Sequence, residues 1–300
     1  MYSIEKIKKI IQINFPTFEI KDVSFIGEGW DSCVYRINQE YIFRFPKYEK
    51  VSENLKKEIC LLPKLKNHLN ISIPNFEFVG KKSKVFDKYF VGYKAMLGVP
   101  LTRNVFDQLS DYVKEEIAKQ IAHFLETMHS IPLEEVKECG VEKLDFERDY
   151  EDDLRNMQDK VFPKLSKLER EWVTRLFKGY LNEEENFKFK PSLLHNDLSA
   201  DHIFFDIEQN RITSIIGFGD VAIGDSDYDL MYLIDDYGGD FIEILLRYYH
   251  HENLSRLIQK LKFFQSCDPI HTILGGIHLK DEDKIRDGLK SLKERIAANK

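Results

Sequence analysis

The stretch Pro191–Asp220, PSLLHNDLSADHIFFDIEQNRITSIIGFGD, constrains this chain more than any other. Leu193 and Leu194 bring a buried strand to a polar loop, His195-Asn196-Asp197-Leu198-Ser199. Ile203-Phe204-Phe205 is a short apolar strand, Gln209-Asn210 has turn chemistry, and Ile212–Ile216 is β-branched again. Strand, loop, strand, hairpin and strand place Asp197 and His202 at one edge, beside the end of the third strand.

That spacing is the spacing of a phosphoryl-transfer loop. In the pattern H-x-D-x-x-x-x-N the aspartate accepts the proton of the acceptor hydroxyl and the asparagine holds metal. His195, Asp197 and His202 take those places, with a histidine where asparagine is usual. An Asp-Phe-Gly segment follows in that pattern, and its aspartate carries Mg²⁺. Here the segment is Gly217-Phe218-Gly219, so a carboxylate is missing.

Three hundred residues can bury a large core in one domain or two lobes. A net charge of −7 argues against a broad nucleic-acid surface and suits a cationic substrate. No run approaches about 18 apolar residues, and the N-terminus lacks a signal-peptide core, so a cytoplasmic monomer away from membranes is expected. Cys33, Cys60, Cys139 and Cys267 lie far apart without a CxxC, and are read as reduced thiols.

Residues 3–13 form an amphipathic helix behind the cap Ser3. Strands are expected at 19–27, 32–38 and 40–46, joined by Gly27-Glu28-Gly29-Trp30 and Asn38-Gln39. A glycine-containing turn can bring backbone N–H groups to phosphate. Arg44 sits among apolar neighbours on the third strand, and a helix over 52–66 supplies Glu58. Singly, Arg44 is a snorkelling surface residue and Glu58 a solvated helix face. Taken in order with the 195–220 loop, they are the strand cation and helix glutamate of a phosphate site. Lys47, past the strand end, is the rival cation. Strands at 75–80 and 88–96 complete a five-stranded antiparallel sheet.

Leu97-Gly98-Val99-Pro100 breaks regular structure and marks a hinge at about 94–100, where nucleotide would bond to backbone near 94–96. Residues 1–96 are the expected nucleotide lobe and 97–300 the larger, mainly helical lobe with the catalytic loop and a helical acceptor-binding part. Ser110 caps a helix to about His129; further helices are expected at 145–160, 165–182, 227–236, 239–250, 253–265 and 280–296. Trp172 reads as core. The fold class is α+β and bilobal, like a protein kinase.

The chain resembles the aminoglycoside phosphotransferases, most closely the 2″-O-phosphotransferase branch. The motifs are Gly27-Glu28-Gly29-x-Asp31-Ser32, Phe43-Arg44-Phe45-Pro46-Lys47, Phe124-Leu125-x-x-Met128-His129-Ser130, Leu194-His195-Asn196-Asp197-Leu198-Ser199-x-Asp201-His202, Ile215-Ile216-x-Phe218-Gly219-Asp220 and Asp225-x-Asp227-Tyr228-Asp229. They run in family order from about residue 15 to 240, and the final 50 residues match poorly. The resemblance implies transfer of the γ-phosphoryl group of GTP or ATP, with Mg²⁺, to the 2″-hydroxyl of a 4,6-disubstituted aminoglycoside such as kanamycin, gentamicin or tobramycin. It implies that Asp197 is the catalytic base and that His202 and position 217 hold metal. Gly27, Gly29, Ser32, Arg44, Glu58, Tyr93, Lys94 and Met96 would meet the nucleotide. A bulky residue at the Tyr93 gatekeeper is associated in this branch with guanine, which favours GTP. Ser199, Asp220, Asp235 and Asp236 would face the antibiotic.

The acceptor logic also stands on charge. Carboxylates at 197, 220, 235 and 236 would focus negative potential on a polycation, and each ammonium–carboxylate bond is charge-assisted. The alternative for Asp235-Asp236 is solvation at a helix end. Without a carboxylate at 217, turnover should lie at least about 10²-fold below that of a Gly217→Asp variant. Engineered inactivation, a degenerate copy or compensation by Asp220 would each explain the glycine, which is sterically permissive. A nucleotide-binding pseudokinase, or a kinase for another small alcohol such as choline, homoserine or a macrolide sugar, remain alternatives. No Ala-Pro-Glu segment of a protein kinase follows Phe218-Gly219.

Overall fold

The computed structural model describes residues 2–29 and 32–298. Trp30 and Asp31 of the expected phosphate loop lie outside the described residues.

Helix α1 (Ile4–Asn14) starts where the Ser3 side chain accepts from Lys6 N, and buries Ile7, Ile10 and Ile11. It lies with the first sheet, whose strands are β1 (Val23–Glu28), β2 (Ser32–Ile37) and β3 (Tyr41–Pro46), followed after helix α2 (Glu49–Leu65) by β4 (Phe78–Gly80) and β5 (Phe90–Lys94). Among the described residues these form one antiparallel sheet in the order β1-β2-β3-β5-β4. Tyr35, Phe43, Phe45 and Phe90 fill the space between sheet and helix. β1 begins later than residue 19 because Lys21 N and Asp22 N are held by the Asn38 side chain instead of a neighbouring strand. Asn38 and Gln39 both take positive φ, as a tight hairpin turn requires. Residues 75–77, after Pro74, stay outside the ladder.

The chain leaves β5 with Ala95 N bonded to Glu40 O and enters β6 (Val99–Pro100), which pairs with β9 (Ile203–Asp206). Gly98 makes this crossing possible: its φ is +94°, and a Cβ there would lie 2.4 Å from Phe205 O. Next come α3 (Arg103–Asp107), α4 (Asp111–Ser130) and α5 (Leu133–Val136), the short strand β7 (Glu142–Lys143), α6 (Phe146–Asn156) and α7 (Lys167–Leu181). Ser110 caps α4, which buries Val113, Ile117, Ile121, Phe124, Leu125 and Met128 on one face. Trp172 is partly buried against the large core.

Strands β8 (Ser192–Leu194), β9, β10 (Arg211–Ile215) and β11 (Ala222–Gly224) frame the loops of interest in two small sheets, β10-β9-β6 and β7-β11-β8. The chain ends in α8 (Met231–Tyr237), α9 (Gly239–Leu245), α10 (Leu254–Leu279) and α11 (Glu282–Ala298). α10 runs far past the expected end at 265. Pro269 removes one N–H, but Cys267, Ile270 and Ile273 continue its buried face, and packing outweighs the lost bond.

The architecture is α+β, as expected, and its two buried clusters are unequal. The larger includes Leu61, Leu62 and Leu65, so α2 packs one side into the helical part. The reading of four reduced thiols is corrected: Cys60 and Cys139 form a disulfide, while Cys33 and Cys267 are free and buried. The fold brings together two cysteines 79 residues apart, a pairing that linear spacing does not signal. Among the described residues no helix is long and apolar enough to cross a membrane.

Candidate active site

β8 delivers the chain to His195, which is fully buried. Asp229, also buried, holds the start of the loop: its two carboxylate oxygens accept from His195 N at 2.9 Å and Asn196 N at 2.7 Å. His129 Nε2 lies 2.9 Å from the same carboxylate. Burial alone would raise the Asp229 carboxyl, but the bond from His129, its charge and the Asn196 N–H bring it below its ordinary value. Asp229 is aimed by its own segment, since Asp225 and Asp227 both grip the buried Lys260 on α10.

Two further bonds join this loop to the one after β10. His195 Nε2 donates to Ile216 O at 2.9 Å, and Asn196 Nδ2 to Asp220 O at 2.9 Å. Asp197 N donates to His195 Nδ1 at 3.3 Å. One ring nitrogen therefore donates and the other accepts, which fixes a neutral imidazole. Burial pushes its pKa down to about 4, consistent with that state.

Asp197 follows, its side chain partly open to solvent. His202 folds back on it. The ring Nδ1 lies 2.7 Å from Asp197 O, 3.3 Å from Asp197 Oδ2 and 3.4 Å from Ser199 Oγ. Asp236 accepts from Ala200 N at 2.6 Å, and so braces this loop from α8. Asp235 accepts from Gln265 Nε2 at 2.6 Å. Tyr232 marks where the acids converge: beyond burial, the charges of Asp197, Asp268, Asp220 and Asp235 all raise its phenol. Asp268, on α10, lay outside the sequence reading because the helix was expected to stop before it.

On the sheet side, Arg44 makes a two-pronged pair with Glu58, at 2.8 and 3.1 Å. Glu58 is 1% exposed and rests against Gly219, where a Cβ would lie 3.3 Å from Oε1. Tyr93 is buried within the field of both. Lys47 is occupied elsewhere, with Gly29 O and Glu28, both at 2.6 Å. Gly27 and Gly29 have open space where a Cβ would stand or nearly so, and Ser32 is buried at the start of β2. Lys94 and Met96 line a cleft of about 250 Å³ with Ser72, Asn75 and Thr213.

The residues present do not fit a two-ligand Mg²⁺ site. Position 217 offers no side chain, and His202 Nδ1 is engaged with Asp197 O. Among the described residues no three His, Cys, Asp or Glu groups gather as metal ligands.

Residues 22–264 match the profile of APH, the phosphotransferase enzyme family. The whole chain superposes on the GDP complex of wild-type aminoglycoside 2'-phosphotransferase-IIIa with a TM-score of 0.94, at 32% identity and 100% coverage of both chains. The final 50 residues, which the motifs did not reach, are thus included. The GDP and kanamycin complex of APH(2″)-IIIa matches with a TM-score of 0.92 at 32% identity over 98% of each chain. The gentamicin complex of APH(2″)-IIa matches with a TM-score of 0.81 at 26% identity, over 97% of this chain and 96% of that one. The chain belongs to the phosphotransferase enzyme family as an aminoglycoside phosphotransferase, an enzyme that carries a phosphoryl group to a hydroxyl.

Proposed function

We propose that this enzyme transfers the γ-phosphoryl group of GTP to the 2″-hydroxyl of 4,6-disubstituted aminoglycosides such as kanamycin, gentamicin and tobramycin, and that it does so slowly. One observation carries the reading. The Arg44–Glu58 pair abuts Gly219, and Asn196 ties Asp220 to the loop of Asp197, so phosphate side and acceptor side meet in one continuous construction. The relatives bound to GDP, and to GDP with kanamycin, support the choice of nucleotide and acceptor.

In this reading residues 1–96 hold nucleotide, with Gly27, Gly29 and Ser32 over the phosphates, Arg44 as their cation, and Tyr93, Lys94 and Met96 at the base. Asp197 takes the proton of the acceptor hydroxyl as its oxygen bonds the γ-phosphorus and GDP leaves, a role worth about 10²–10⁴-fold. Ser199, Asp220, Asp235 and Asp236 face the antibiotic, with residues 97–300 as its lobe. The slow rate follows from positions 202 and 217: a Mg²⁺ clamp would need both, and one is glycine. That same observation favours a second reading, a nucleotide-binding protein without turnover.

Mass spectrometry of kanamycin incubated with GTP, Mg²⁺ and enzyme separates them. Phosphorylated kanamycin that disappears with Asp197→Asn supports transfer. GDP-dependent stabilisation without any product supports the second reading. Equal stabilisation by choline, with none by kanamycin or gentamicin, would remove the aminoglycoside.

A further inference from the structure

Helix α2 carries one stripe of residues toward the helical part of the molecule. Lys57 Nζ donates to Val221 O at 2.8 Å, one residue beyond Asp220. Cys60 is bonded to Cys139. Lys64 pairs with Glu138 at 2.7 Å, and His68, just past the helix, meets Glu135 at 2.8 Å. Positions three or four apart share a helix face, so these are successive rungs of one attachment. Glu58, which fixes Arg44, stands inside it.

The rungs are unequal. Glu138 is 74% exposed and Glu135 47%, and ion pairs so open to water contribute little. The disulfide is covalent and closes a 79-residue span. It also lies within reach: Cys60 is half-buried, whereas the free Cys33 and Cys267 are at most 1% exposed.

We propose that Cys60 and Cys139 are a thiol–disulfide exchange site for a small disulfide of the glutathione class, and that its oxidation locks the nucleotide site. The Cys60 thiolate attacks one sulfur of the small disulfide, whose S–S bond breaks and releases one thiolate. The Cys139 thiolate then attacks the Cys60 sulfur and releases the second. Two cysteine thiols lose two electrons and their protons; one small disulfide gains them and leaves as two thiols. With the bond formed, α2 cannot drift from the helical part, and Glu58 keeps Arg44 in place. Reduction removes the one covalent tie and leaves α2 held by the packing of Leu61, Leu62 and Leu65, the open ion pairs and the Lys57 bond.

The coupling rests on the nucleotide reading of Arg44 and Glu58, so the test reads the two separately. The full chain is equilibrated with oxidised glutathione or with dithiothreitol. Intact mass, lower by two hydrogens, reports the bond, and calorimetry reports GDP affinity. The oxidised protein is expected to bind GDP at least about fivefold more tightly than the reduced one. Cys60→Ser is expected to bind like the reduced protein under both conditions. A protein whose mass does not respond to oxidised glutathione overturns the exchange site. A mass that responds while GDP affinity stays constant overturns the lock. GDP binding in neither state overturns the nucleotide reading itself, and the lock with it.

Discussion

The imidazole of His202 stands where a side chain at Gly217 would stand. A Cβ at 217 would lie 2.6 Å from Nδ1 and 2.7 Å from Cγ and Cε1, and the ring is held there by Asp197 O at 2.7 Å. Gly217 itself has a φ of +89°, in the left-handed region. The space beside Gly217 is therefore not vacant. The histidine ring fills it, and its Nδ1 bonds the backbone carbonyl of Asp197.

Gly217→Asp tests this arrangement. The ring must leave Asp197 O, losing a hydrogen bond worth about 1 kcal/mol, and a β-carbon enters left-handed backbone at a similar cost. The melting temperature should fall by several degrees. Turnover of kanamycin with GTP and Mg²⁺ should still rise by at least about 10²-fold, because the displaced ring and the new carboxylate can share a metal. Steady-state kinetics beside calorimetry check both parts. Equal turnover in the two proteins would exclude a metal role for position 217.

Asp229→Asn should uncouple loop geometry from nucleotide affinity. The carboxylate accepts two backbone N–H groups and meets His129; an amide keeps one acceptor and presents hydrogens to the other donor. A buried N–H left without a partner costs about 1–3 kcal/mol. Displacement of Asp197 by about an ångström should lower kcat by about 10²-fold. KM for GTP should change little, since Arg44 and Glu58 lie on other elements. A parallel rise in KM would mean that Asp229 supports the whole cleft.

How much of this was legible in the chain depends on distance along it. The 192–215 strands were readable because β-branched runs and turn residues act on their neighbours. The Arg44–Glu58 pair was readable only from its order relative to the loop; either residue alone looks like surface. Asp229 was visible as part of a motif, but nothing local says that its oxygens reach backbone 33 and 34 residues earlier. The Cys60–Cys139 bond and the Lys57–Val221 bond span 79 and 164 residues. Such partners are chosen by packing of α2, whose leucines gave a clear helix without saying what it packs against. Asp268 was lost for a different reason: the helix was expected only to 265, and α10 continues through Pro269 because Cys267, Ile270 and Ile273 are buried.

Acid should weaken the fold through His195. Its pKa in the folded protein is about 4, against 6.5 for the free side chain, because burial disfavours the cation. Between those values the unfolded chain binds the extra proton and the native one does not. Stability contributed by the neutral ring is thus complete above pH 6.5 and is lost as pH falls towards 4, by about 3 kcal/mol in all. Urea unfolding at pH 7.5, 6.0 and 5.0 should show the loss beginning below 6.5. His195→Gln, which can still donate to Ile216 O and accept from Asp197 N, should flatten that slope. An unchanged slope would assign the acid limb to other groups.

Nucleotide choice should turn on Tyr93. The side chain is 4% exposed, sits 5.8 Å from Phe76 ring to ring, and lies within the field of Arg44 and Glu58 at the inner end of β5. In the proposed reading a full-sized phenol there would restrict the depth at which a purine can enter, and the base would bond to backbone near Lys94 and Met96 in a shifted position. Tyr93→Ala removes that restriction. It also opens a cavity, and a loss of about 3 kcal/mol in stability is expected for an aromatic truncated in a core. Assays therefore belong well below the new melting temperature. The ratio of kcat/KM for ATP to that for GTP should rise by about tenfold, which corresponds to about 1.4 kcal/mol of discrimination. The effect should appear mainly in KM, because the base is remote from the reacting phosphorus and contributes the same binding before and during transfer. A folded Tyr93→Ala protein with the parental ratio would move the selection of guanine from this side chain to the backbone between β5 and β6.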